Sequence, residues 1–369
     1  MADPTPRLWI ATRKGLFVAG RGAQGWQLQE APSFLGEPVT MVLPDLRDGS
    51  LYAALRLGHF GVKLHRSADQ GRSWEEIAAP AYPPKPADVP GAEPDKTPWS
   101  TDLIWSLVPG GPAQPGRLWA GTIPGGLFRS DDHGAHWSLV ESLWQRPERA
   151  KWFGGGYDHA GIHSICIDPR DPRRLVVAVS CGGVWGSDDD GASWTLLGEG
   201  LRADYMPPEG QDDLAVQDPH LMVRCAGAPD TLWIQHHNGV FVSHDGGRQW
   251  SAVKGIQPSD FGFAVAVHPR DPLTAWFAPA VKDQLRVPVD ARLVVTRTRD
   301  GGRSFEALGN GLPVPSWDLV YRHGLVVDGS GTVLALASTT GGLWVSEDGG
   351  DRWQEVSHHL PPVYALRFG

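Results

Sequence analysis

The sequence predicts an all-β protein, a seven-bladed β-propeller built from four-stranded antiparallel blades. Three observations lead there. The pattern Ser/Thr-x-Asp-x-Gly-x-x-Trp/Phe occurs six times in 369 residues. With 46 glycines and 32 prolines, the chain is cut into short runs rich in branched and aromatic residues, which read as strands between turns. The repeat spacing is that of an array of supersecondary units.

The six copies are SADQGRSW (67–74), SDDHGAHW (130–137), SDDDGASW (187–194), SHDGGRQW (243–250), TRDGGRSF (298–305) and SEDGGDRW (346–353). A worn seventh, AGRGAQGW (19–26), keeps only Trp26. The terminal aromatics, from Trp26 to Trp353, are separated by 48, 63, 57, 56, 55 and 48 residues. Each interval holds four short strands, as in DLIWSLVPG, RLWAGTIPG, GLFRSDDHG and HWSLVES. Seven such units make a propeller ring.

The expected blades are 7–31 with 362–369, then 38–80, 101–143, 161–199, 219–256, 261–309 and 316–358. Blade 1 has no upstream first strand. The C-terminal PPVYALRFG follows the last fourth strand and is expected to complete blade 1 and lock the ring.

The repeated box resembles the Asp-box, or BNR repeat, of sialidases, sortilins, xyloglucanases and photosystem II stability factors. The resemblance covers nearly the whole chain. GGGYDHAGIHSICIDPRDP, YMPPE, QHHNG and RVPVD also resemble bacterial proteins labelled BNR-repeat glycosyl hydrolase or exo-alpha-sialidase. The implied fold is a propeller, and the implied activity is a sialidase-like glycosyl hydrolase. The Arg-Ile-Pro motif of sialidases has no counterpart, because the matching region reads PRLWIATRKG. True sialidase activity is therefore not expected.

The box aspartates read as structural. Asp and Ser side chains bond nearby backbone N–H groups, and glycine accepts positive φ. A calcium loop does not fit. With Gly191 sixth, the twelfth residue is Leu197; with Asp188 first, the sixth is Ser193. The boxes join the third and fourth strands of each blade. Function is expected on the opposite face, which carries the long insertions.

A net charge of −9 argues against nucleic-acid binding. Three cysteines (Cys166, Cys181, Cys225) make no disulfide framework. There is neither a signal-like segment nor an apolar run long enough for a membrane helix. The expected location is the cytoplasm, with no membrane partner.

Three inter-blade insertions (79–101, 144–160 and 200–219) and an excursion at 281–292 rim the insertion face. They bring Lys151, Tyr157, Asp158, His159, Tyr205, Glu209, Lys282, Arg286, Asp290 and Arg292, to which turns add Arg13, Lys14, His59, Cys181, His236 and His237. This basic, histidine-rich mouth suits an anionic ligand. Arg13, Lys282, Arg286, Arg292, His236 and His237 are its candidate ligand-binding residues. Aligned first strands begin at Thr40, Asp102, His163, His220, Phe263, Asp318 and Tyr364, and residues at equivalent strand positions share a direction. Asp102, His163 and His220 come from adjacent blades and make a Zn, Fe or Mn ligand set, with His159 as a further candidate. The other reading is a hydrogen-bonded polar ring that seals the channel.

Two classes of function follow. The first is a hydrolase for a small anionic or carbohydrate ligand, glycosidase-like or metal-assisted. Its candidate carboxylate pairs are Asp102 with Asp318 and Asp158 with Glu209, and Tyr205 with Glu209 is a candidate nucleophile pair. The second is a non-catalytic scaffold that binds protein through a rim of Trp99, Trp144, Trp152 and Phe153.

Overall fold

A computed structural model describes residues 6–29, 31–87 and 95–369. Residues 88–94 of the proline-rich 79–101 insertion lie outside that set. Seven four-stranded antiparallel sheets form a propeller. The inner strands are Val39–Asp45, Leu103–Pro109, Gly161–Asp168, Pro219–Arg224, Gly262–Val267, Leu325–Val327 and Val363–Phe368. Each touches the inner strand on either side, and the contacts run round the full ring. The last of these strands pairs antiparallel with Arg7–Thr12, Leu8 facing Phe368 and Trp9 facing Arg367. Residues from the two ends of the described chain thus share one blade.

Adjacent blades lock through large aromatics on the second strands. Trp9, Trp119, Trp233 and Trp276 are each at most 2% exposed. A Cβ on the box glycine of the following blade would lie 3.1 Å from Trp9 (Gly71), 3.4 Å from Trp119 (Gly191) and 3.6 Å from Trp233 (Gly302). Each indole thus packs directly against the box turn of the next blade. The positive φ of 81°, 83° and 89° at those three positions favours glycine. A buried indole removes about 150–250 Å² from water, so these contacts are a main source of ring cohesion.

All six boxes make the same turn. In each, the Ser or Thr hydroxyl donates to Asp Oδ1 at 2.8–3.0 Å and accepts from the glycine N–H at 2.8–2.9 Å. Every aspartate is thus engaged within its own hairpin. The turns between first and second strands share this face, as Asp190 N–H donates to Arg173 O and Gly301 N–H to Leu273 O.

Blade 7 departs from expectation. Its inner strand begins at Leu325, so Asp318 precedes the strand rather than opening it. The chain DLVYRHGLVV offers two apolar runs, and the second pairs with Leu334–Ala337.

Candidate functional site

One irregularity repeats around the axis. In six blades the inner strand skips residues in its pairing with the second strand, leaving out Thr40, Trp105, His163, His220, Phe263 with Ala264, and Tyr364. A β-bulge breaks the alternation of side chains and re-aims the extra residue. Thr40, Trp105, His220, Phe263 and Tyr364 line an axial cavity of about 660 Å³, to which blade 7 adds Tyr321, Arg322 and His323.

The insertions close over this cavity. Lys151 pairs with Asp213 at 2.6 Å and so ties the second insertion to the third. Phe153 and Tyr205 meet edge to face at 6.5 Å between ring centres. The glycine run 154–156 then passes over the cavity; a Cβ at Gly155 would lie 2.8 Å from Cys181 Sγ and 3.6 Å from Asp218 Oδ2.

Asp218, His220 and His237 form the polar centre. Asp218 is 5% exposed and His220 is 2% exposed. Asp218 Oδ1 accepts from Ser180 Oγ and Cys181 N–H, both at 3.0 Å. Oδ2 stands 3.4 Å from His220 Nε2 and 3.5 Å from His237 Nδ1. His220 Nδ1–H donates to Gly262 O at 2.6 Å. Burial opposes the charge of Asp218, but His220, His237 and Arg322 outweigh it and hold its carboxyl well below the usual range. Burial also holds the His220 imidazole below its ordinary pKa, although Asp218 pulls the other way. The Gly262 carbonyl holds a proton on Nδ1, so in the neutral imidazole Nε2 is the bare nitrogen that faces Asp218.

Arg322 is the second unusual group. It is 9% exposed, its Nε has no hydrogen-bond partner, and no ion pair reaches it among the described residues. Its guanidinium lies 4.5 Å from the ring centre of Trp105 and 5.5 Å from that of Phe263. Burial lowers its pKa, with Asp218 the main opposing charge. A buried charge without a hydrogen-bonded partner costs several kcal/mol. A binding site is where a fold tolerates such a cost.

The structure sorts the residues expected from sequence. His220 and His237 meet in the cluster, and Arg13, Tyr205 and Arg286 line the cavity. Asp102 is half exposed and bound by Arg56, with Nε to Oδ1 at 3.2 Å and Nη2 to Oδ2 at 2.8 Å. It lies three residues before the bulge residue Trp105, outside the cavity wall. His163 uses both ring nitrogens, Nδ1 with Ser164 Oγ at 2.8 Å and Nε2–H on Pro219 O at 2.7 Å. The Asp102–His163–His220 set is therefore not assembled. His163 belongs instead to the polar-ring reading, alongside Ser106, whose hydroxyl donates to Ile162 O at 3.0 Å.

Asp318 accepts from the hydroxyls of Ser316, Ser338 and Thr340. Burial opposes its charge, and those hydroxyls more than compensate. Tyr205 donates to Val216 O at 2.7 Å, and burial pushes its phenol far up, so it stays neutral. Glu209 is exposed on the turn Pro208–Gly210 and lines no part of the cavity, so the Tyr205–Glu209 pair is not formed. Lys282 and Arg292 are exposed and stand off the cavity wall, as does His159, which is half-buried. His236 is fully buried; Asp218 N–H donates to its Nε2 at 3.2 Å, and burial drives its pKa to about 3. It supports the cluster from behind. Among the aromatics expected at a rim, Trp144 is 3% exposed and Trp152 packs against the blade 4 core, while Phe153 reaches the cavity.

Asp218, Trp105, Arg322 and His323 were not singled out from sequence. QDPH carries a usable signal, since an acid two residues before an inner-strand histidine can reach the same point once the strand bulges. YRHG carries none without the blade 7 register.

Comparison with known proteins supports the fold. No family model matches the chain. The oligoxyloglucan-reducing end-specific xyloglucanase of Emericella nidulans is 26% identical over 215 residues, which are 56% of this chain and 24% of that protein. The match thus spans about a quarter of the xyloglucanase. Among solved structures, an ancestral GH74 enzyme aligns over 100% of this chain and 40% of its own, with a TM-score of 0.58 and 14% identity. YCF48 bound to D1 peptide aligns over 95% of this chain and 89% of its own, with a TM-score of 0.52 and 16% identity.

Proposed function

We propose that the axial cavity binds a small anionic substrate through Arg322 and hydrolyses it, with the Asp218–His220–His237 cluster activating water. The buried, unpaired guanidinium carries this reading. It lies against Trp105 and Phe263, and a guanidinium fork suits bidentate capture of a carboxylate or phosphate. The cavity volume of about 660 Å³ is that of a small-molecule site. Aromatic faces beside a charged anchor favour a ring-bearing anion, and a sugar acid uses both. The partial likeness to one xyloglucanase supports a carbohydrate class without naming the linkage.

The test is calorimetric titration with acetate, inorganic phosphate and glucuronate, in wild type and Arg322→Met. Binding of at least one anion that is lost in the variant is expected. Equal affinities in the two proteins would sink the anchor. Turnover is tested with chromogenic uronides and esters, and activity on none of them would leave a binding protein.

A peptide-binding scaffold is the second reading. Phe60 is 69% exposed and Trp317 is 67% exposed, both on the insertion face, and a peptide-bound propeller is among the structural neighbours.

A further inference from the structure

We propose that Asp218, His220 and His237 bind one divalent transition-metal ion, zinc or ferrous iron, at the wall of the axial cavity. The separations are those of ligands sharing an ion. Metal–ligand bonds of about 2.0–2.1 Å in a tetrahedron place neighbouring ligand atoms about 3.3–3.4 Å apart. Asp218 Oδ2 lies 3.4 Å from His220 Nε2 and 3.5 Å from His237 Nδ1. Charge-assisted hydrogen bonds would be shorter, about 2.7–2.9 Å.

The hydrogen bonds around the cluster point the same way. His220 spends its Nδ1 proton on Gly262 O, so a bare Nε2 faces a carboxylate oxygen. A cation held between these two atoms would satisfy both lone pairs. Asp218 Oδ1 is taken by Ser180 and Cys181, which leaves Oδ2 as the ligand. Carbonyl and hydroxyl partners behind a histidine and a carboxylate are the outer shell expected of a metal site. The three ligand atoms lie within 4.8 Å of one another. His237 sits on a turn with 22% of its side chain exposed, which leaves its ring free to turn toward an ion shared with Asp218 and His220. All three residues line the cavity, so an ion they held would be open to water or substrate there.

This inference is independent of Arg322. A metal with no anion binding would refute only the anion anchor; anion binding with no metal would refute only the metal site.

The experiment uses full-length protein without a polyhistidine tag. Elemental analysis is expected to give about one equivalent of zinc or iron per chain, or of zinc after reconstitution with zinc alone. Cobalt(II) substitution is expected to give visible ligand-field bands. His237→Ala and Asp218→Asn should each lose both signals, and His159→Ala should keep them. Asp218 is buried, so folding of its variant is checked by circular dichroism; His237→Ala, at the partly exposed ligand, decides the case if Asp218→Asn does not fold. Folded wild type without stoichiometric metal after reconstitution overturns the site, as does His237→Ala that retains the metal.

Discussion

Arg322 and Trp105 meet across the axis, guanidinium to ring centre at 4.5 Å. The next residue strengthens the link, since His323 Nε2 lies 3.2 Å from Trp105 O. Blades 3 and 7 stand apart on the ring, so this contact bridges the channel rather than a blade interface. It also orients the proposed anion anchor. A desolvated cation–π contact is worth about 0.5–2 kcal/mol. Trp105→Leu is expected to weaken anion binding by about 2- to 30-fold, with Trp105→Phe in between. Isothermal titration reads this, and unchanged affinity in Trp105→Leu would detach the indole from the anchor.

Arg322 itself trades stability for binding. Replacing a buried charge by an apolar side chain of similar reach is often stabilising, by about 1–4 kcal/mol for a buried pair or triad. Here the guanidinium has no ion-pair partner among the described residues, so Arg322→Met is expected to raise the unfolding midpoint while abolishing anion binding. Urea denaturation checks the first half. A clear fall in stability would mean that Arg322 is a structural strut.

The box turns were legible because they are local. A hydroxyl, an aspartate and a glycine at fixed offsets close one hairpin, and the sequence holds all three partners. Ring closure was legible for a similar reason, since VYALRF has the alternation of a first strand and blade 1 lacks one. The site was legible only in part. His220 and His237 stood out as histidines, whereas Asp218 did not, because its reach depends on a bulge that counts one residue out of the alternation. The equivalent bulge in blade 3 separates Asp102 from the cavity and puts Trp105 there. In blade 7, DLVY and GLVV are equally plausible strands by pattern. Only pairing with Leu334–Ala337 decides between them, and the choice moves Asp318 out and Arg322 in.

The box aspartates should matter to stability and not to ligand. Asp189 accepts from Ser187 Oγ at 2.8 Å, Ser193 N–H at 2.8 Å and Ser193 Oγ at 2.6 Å. Each such bond contributes about 0.5–1.5 kcal/mol net. Asp189→Ala is expected to cost about 1–3 kcal/mol in urea denaturation and to leave anion and metal binding intact. Loss of binding at unchanged stability would reassign the box to the site.

Acid should destabilise the ring well before its carboxylates titrate. His163 and His323 are buried, at 1% and 7% exposure. Burial is the main cause holding both well below their ordinary pKa. Arg322 adds at His163, against Asp218, while Arg367, His163 and Arg322 add at His323. Both are neutral when folded, and in the unfolded chain each titrates near about 6.5. Above that pH the two states bind equal numbers of protons at these residues. Below it the unfolded chain takes up protons that the folded ring refuses, so unfolding is favoured as pH falls. The full contribution is present above about 6.5 and is lost progressively toward the depressed folded values. Each histidine gives a slope approaching about 1.4 kcal/mol per pH unit. Urea midpoints at pH 7.5, 6.5 and 5.5 should therefore fall slightly in the first interval and more steeply in the second. His323→Gln, which can still donate to the Trp105 carbonyl, should flatten that fall by about one proton. A wild-type midpoint that stays level from pH 6.5 to 5.5 would show that these imidazoles are charged in the folded ring.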